Sequence, residues 1–259
     1  MPSSSNHSYW PVLLLPFLAG LAGTLVQFSL PAILPPLSQT LHLSSAAQGL
    51  VMSIFALATL FSALPAGKLS ARHGVHAIIS WGFFLLIIGS LVFFLAWHFS
   101  SQDLLWTTRV IQGIGFGLIA VGAPSALGQY VPPARRPWAM AIWATWVPMG
   151  ATLAFFVGPR LFLLSHGPLA FEAGLIGWIG GIWILWEKWM PHRPPNFPVA
   201  HETPATSSPS GLHGAFWAAV SFAAFTFILF SLNTWGTTFF VHRFHWPLIL
   251  SGDMMAFIT

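Results

Sequence analysis

Cysteine is absent from the 259 residues, and charged side chains make up only 5% of them, nine Lys+Arg and five Asp+Glu. The first absence excludes disulfides, thiolate metal sites and cysteine nucleophiles. The second excludes a water-soluble globule, in which roughly a quarter of the residues are charged. The net charge of +4 is spread between apolar runs rather than gathered on one face, so a nucleic-acid partner is excluded as well. Met1 to Tyr9 lack the Lys or Arg that opens a cleavable signal peptide. No HExxH, Gly-x-Ser-x-Gly or Gly-rich phosphate loop ending in Lys occurs, so neither an enzyme nor an ATP-driven pump is expected. The eleven histidines fall in loops or at the ends of apolar runs. His73-x-x-His76 and His242-x-x-His245 each lack a third nearby ligand, so no metal and no cofactor is expected.

What is present is apolar: 56% hydrophobic residues, with 14 Trp and 24 Phe. Seven runs are long enough to cross a bilayer, at 10–34, 46–66, 77–97, 104–128, 138–158, 167–189 and 214–241. An eighth, 248–259, amounts to roughly 18 Å of helix against about 30 Å of hydrocarbon and does not span by itself. Unbroken stretches such as Phe83 to Ile88 lack the alternation of a membrane barrel, which leaves an all-α polytopic protein embedded in lipid.

Basic residues set an expected orientation, because short cytoplasmic loops are enriched in Lys and Arg. Lys68, Arg72, Arg135, Arg136, Lys188 and Arg193 follow runs two, four and six, whereas only Arg160 and Arg243 follow the odd-numbered runs. The N-terminus is therefore expected in the cytoplasm and the protein in the inner or plasma membrane. The Pro- and Ser-rich segment 191–213 reads as a cytoplasmic linker between a six-helix bundle, 1–190, and an incomplete second bundle, 214–259. Gly67 to Gly74 is echoed by Gly158 to Gly167 three helices later, which suggests a three-plus-three inverted repeat.

Three segments resemble motifs of the major facilitator superfamily of secondary transporters. Gly67, Leu69, Arg72 and Gly74 match its Gly-x-Leu-x-Asp-Arg-x-Gly signature after helix two, with Ala71 where the family has Asp. Arg109, Gln112, Gly113 and Gly115 match Arg-x-x-Gln-Gly-x-Gly in helix four, and Gly158-Pro159 matches the antiporter-type Gly-Pro pair in helix five. Trp143 to Gly150 and Asn233-Thr234-Trp235 also look somewhat like the cyanate and nitroimidazole transporter branch. The resemblance implies two pseudo-symmetric bundles around a central path, with Gly67 to Gly74 shaping a cytoplasmic gate. Because this sequence stops within the eighth run, it implies a truncated chain, not transport-competent alone, or a half that needs a partner chain or self-association.

Arg109, about five residues inside its run, faces a protein interior or a watery cavity. It serves either proton coupling and contact with an anionic group, as the resemblance implies, or a structural clamp on helix one. Gln112 shares its face one turn on. With Gln27 and Asn233 it is expected to line the path or to hydrogen-bond between helices. Trp146 beside Pro148 is a further path candidate. Glu172 either exchanges a proton or forms an ion pair with Arg160 or Arg109. Gly113 and Gly117, like Gly177 and Gly181, have the spacing that lets helices approach closely. Pro16, Pro31 and Pro148 are expected to kink their helices, and Asp103 to cap run four. The expected function is secondary active transport of a small solute by alternating access, coupled to protons. The alternative is a non-transporting membrane scaffold or assembly subunit.

Overall fold

A computed structural model describes residues 10–192, 195 and 209–259, and among them every regular element is helical. The linker expected at 191–213 and the first nine residues therefore lie largely outside the described residues. The order is α1 (Trp10–Ala32), α2 (Leu34–Thr40), α3 (Ser45–His98), α4 (Gln102–Tyr130), α5 (Arg136–Trp143), α6 (Trp146–Leu164), α7 (Leu169–Trp189), α8 (Pro209–Phe244) and α9 (Leu248–Ile258). The first five residues of α8, 209–213, fall within the expected linker.

Runs two and three are joined in α3, whose 54 residues would reach about 80 Å if straight, more than twice the hydrocarbon thickness. They are separate crossings broken at Gly74, with φ 85° and ψ 156°, a conformation open essentially to glycine. The loop expected over Gly67 to Gly74 is thus helical up to His73. Run one divides where Pro35 and Pro36 cannot continue the α1 ladder. Run five divides at Ala144 and Thr145, because Pro148 has no N–H to give the Ala144 carbonyl. The cap of α4 is Ser101, whose Oγ accepts from the Leu104 N–H at 3.3 Å, and not Asp103, which lies in the first turn.

Helix α1 is the axis, buried almost continuously from Leu15 to Ile33 against α4, α6 and α7. Helix α4 lies between the two arms of α3, and glycines set both contacts. A Cβ on Gly113 would meet the Phe55 carbonyl at 2.6 Å and Ala58 Cβ at 2.8 Å in the first arm, and one on Gly115 would meet the Gly82 carbonyl at 2.9 Å in the second. Gly177 and Gly181 have the same four-residue spacing but no atom within 4 Å of a Cβ position, so α7 makes no close approach there. Outward side chains such as Leu57, Phe61, Leu64, Phe84 and Ile184 are apolar, as lipid contact requires. Glu187 near the end of α7 accepts from Ser80 and from Trp183 Nε1 and lies 3.7 Å from His76 Nε2, joining α7 to the second arm of α3.

Candidate functional site

Arg109 is 2% exposed and, among the described residues, forms no ion pair within 4 Å. Oxygen dipoles hold it instead. Its Nη1 donates to Gln112 Oε1 at 3.0 Å and to the Val26 carbonyl at 3.4 Å, and its Nη2 donates to the Gln27 carbonyl at 3.2 Å. The Gln27 carbonyl is accessible for a local reason. Its helical partner would be the N–H four residues on, at Pro31, which proline lacks. A proline in α1 thus leaves an acceptor for a cation in α4. The guanidinium carbon lies 4.3 Å from the Phe55 ring centroid, an added cation–π contact.

Beside this group is a cavity of about 750 Å³, within the range of small-molecule sites. Gln27, Phe28 and Pro31 of α1, the stretch of α3 from Gly49 to Thr59, Arg109 and Phe116 of α4, and residues of α8 between Ala223 and Trp235 form its wall. The Phe28 and Phe230 rings stack from α1 to α8 at 5.9 Å and 23°. Among the described residues, Arg109 is the one charged side chain in this lining.

The other residues expected on a path surround the cavity rather than border it. Gln112 is buried behind Arg109, against Gly89 of α3. Asn233 is buried and donates to the Leu229 carbonyl at 2.9 Å in its own helix, while its neighbours Thr234 and Trp235 reach the cavity. Trp146 stacks on Trp143 at 4.7 Å and lies 5.6 Å from the lining ring of Phe116. Glu172, 1% exposed, faces Ser29 of α1, Ser90 of α3 and Arg109 of α4, and its Oε2 has no partner among the described residues. Of the expected gate residues, Gly67, Arg72 and Gly74 are exposed and Leu69 packs with Ala66, Ile78 and Leu118.

Arg160 is bound to neither Glu172 nor a loop. It grips Asp253 of α9 through two bonds, 2.6 and 2.9 Å, beside Gly158 and Pro159. A Cβ on Gly252 would meet the Phe155 carbonyl at 2.5 Å, so α6 and α9 approach closely there. That carbonyl is again one whose helical partner is a proline, Pro159. Sequence reasoning missed the acceptor on Gln27 and the contact on Phe155, although the four-residue spacing to a proline marks both. No sequence signal pointed to Phe55, Phe116 or Phe227 among the 24 phenylalanines.

The family model described as Major Facilitator Superfamily matches residues 12–259. The hexuronate transporter of Bacillus subtilis is 26% identical over 96% of this chain and 60% of its own length. The glucose transport protein of a Synechocystis strain is 29% identical over 73% of this chain and 40% of its own length. A bacterial homolog of the human lysosomal transporter Spinster, in an inward-facing and unoccupied conformation, superposes with a TM-score of 0.77 at 21% identity, covering 97% of this chain and 59% of that one. The chain therefore spans 40–60% of the length of these relatives. Its apolar helices and its match along nearly the whole sequence make it a multi-pass membrane protein that belongs to the Major Facilitator Superfamily.

Proposed function

We propose that this chain carries one wall of the solute path of a secondary active transporter that works by alternating access with proton coupling. The cavity is the observation that supports it: two groups of helices, α1, α3 and α4 on one side and α8 on the other, border a space with, among the described residues, one buried cation at its wall. Arg109 orients the solute, and Gln112, Val26 and Gln27 hold Arg109 in place. Glu172 carries the proton, being the one fully buried acidic side chain among the described residues and lying within the field of Arg109. Gln27 contacts solute directly, while Asn233 and Trp146 support the residues that do. Gly67 to Gly74 forms the cytoplasmic gate, with the N-terminus in the cytoplasm, and bundles 1–190 and 214–259 move relative to each other about the 191–213 linker. The names of the relatives differ in the charge of what they carry, hexuronate in one case and glucose in another, so the reading rests on the cavity rather than on them.

The absence of cysteine provides the test. Ser53 and Thr234, on opposite walls, are replaced singly by Cys, and an impermeant maleimide is applied to right-side-out and to inverted vesicles. Alternating access labels each position from both sides. Labelling from one side only, under every pH and solute condition, sinks the mechanism and favours the scaffold.

A further inference from the structure

Away from the cavity, two imidazoles meet where the second arm of α3 lies against the end of α7. His76, two residues beyond the break at Gly74, is 9% exposed. The His192 ring, just past the end of α7, stands edge-on to it at 4.3 Å and 89°, and the Trp186 ring lies 5.5 Å away. His76 Nε2 is buried and has no hydrogen-bond partner among the described residues. Glu187 Oε2 faces it at 3.7 Å, beyond hydrogen-bond reach, while Oε1 of the same carboxylate accepts from Ser80 and Trp183. Ring contacts, and not a closed ion pair, hold this histidine.

The charges around this contact do not balance in acid. Glu187 and His192 are the titratable groups that act on His76 among the described residues. On its own helix, His73 turns to the Trp81 ring at 5.2 Å, and on the α4 side the adjacent Ile78 and Ile79 pack against Gly122. An imidazole ordinarily takes up its proton at about pH 6.5. One proton here can be shared with Glu187, but a second puts two cationic rings 4.3 Å apart against one carboxylate. That carboxylate is half-exposed and so screened by solvent, whereas His76 is buried. Burial and like charge both oppose the charged form, so the rings in contact bind fewer protons than the rings apart. By linkage the contact is fully present above the ordinary histidine range and weakens as pH falls through it.

We propose that the His76–His192 contact is an acid-opened joint. With neutral rings it fastens the chain just beyond α7 to the second arm of α3, beside the Gly74 break, and protonation of both rings parts them. The joint is separate from the cavity and does not depend on its reading as a solute path. Met190 reports on it, being 3% exposed between Trp186 and His192, with its N–H on the Trp186 carbonyl at 3.0 Å. In the full chain in lipid nanodiscs, Met190→Cys supplies the one thiol and is reacted with a maleimide at about pH 7.5 and about pH 5.5, either side of the histidine range. Each rate is divided by that of the exposed Lys188→Cys, which removes the pH dependence of the thiol itself. The ratio rises about fivefold or more at the lower pH, and His76→Gln or His192→Gln, each leaving one imidazole for Glu187, abolishes the rise. A ratio that does not change, or that rises as much in either glutamine variant, overturns the joint. Melting of chains with Met190 intact gives a second reading that does not depend on the cysteine variant folding. Acidification over the same interval lowers Tm further in the native sequence than in His76→Gln, and equal shifts overturn the proposal.

Discussion

Gly113 and Gly177 present one sequence pattern in two environments, and replacing each with alanine separates close packing from helix propensity. A Cβ on Gly113 falls 2.6 Å from the Phe55 carbonyl oxygen. Carbon and carbonyl oxygen rest at about 3.3–3.6 Å, so α3 and α4 have to part by about 0.7–1 Å. The colliding atom is backbone and cannot swing aside, and forced expansion of a packed interior typically destabilises by about 1–3 kcal/mol. At Gly177 nothing lies within 4 Å, and alanine meets no obstacle. The gain in helix propensity, about 0.5–1 kcal/mol, is common to both replacements and drops out of their difference. Gly113→Ala is therefore expected to be less stable than Gly177→Ala by about 1–3 kcal/mol, or about 2–4 °C in Tm per kcal/mol for a chain of this size. Thermal unfolding of the two variants in the same detergent, followed by circular dichroism and repeated with Gly181→Ala, measures the difference. Equal stabilities within about 0.5 kcal/mol would refute the glycine-set contact between α3 and α4.

Gly74→Ala places a side chain at φ 85° and is expected to lower stability by about 1–3 kcal/mol. Gly67→Ala, at a helical position with nothing within 4 Å, serves as its control and is expected to be neutral or mildly stabilising in the same melt. In a double-mutant cycle, Arg160→Gln and Asp253→Asn are expected to couple by about 0.5–1 kcal/mol, the upper end for a partly exposed pair because both bonds are made; purely additive effects would show that the pair does not hold α9 to α6. For orientation, an impermeant maleimide applied to intact cells is expected to label Ser100→Cys and to spare Arg72→Cys, and the reverse pattern would invert the assigned topology.

The helical class, the seven long runs and the shared face of Arg109 and Gln112 were legible because length, hydropathy and one-turn spacing act locally. Breaks were partly legible. Pro148 shows why α5 and α6 separate, but nothing local distinguishes Gly74, which breaks α3, from Gly67, which does not. Long-range geometry was not legible at all. Arg160 meets Asp253 across 93 positions, and no periodicity couples residues so far apart. The fate of Gly177 and Gly181 is similar: small spacing permits a close approach, but only the arrangement of neighbours determines whether one occurs. Asn233 stands out in the sequence by its polarity, while the side chains that reach the cavity from α8 include Phe227 and Trp235, which lipid-facing positions also favour.

Helix prolines are common targets for stabilisation, on the reasoning that alanine restores a missing rung. Pro31 and Pro159 are poor targets for that strategy in this chain. Each leaves a carbonyl four residues upstream that meets another helix, Gln27 toward Arg109 and Phe155 toward Gly252. Filling either rung would straighten one helix and place a competing donor at the oxygen that a neighbouring helix uses. A thermostabilised variant selected on melting temperature alone would thus tend to lose the arrangement of its cation before it lost its fold.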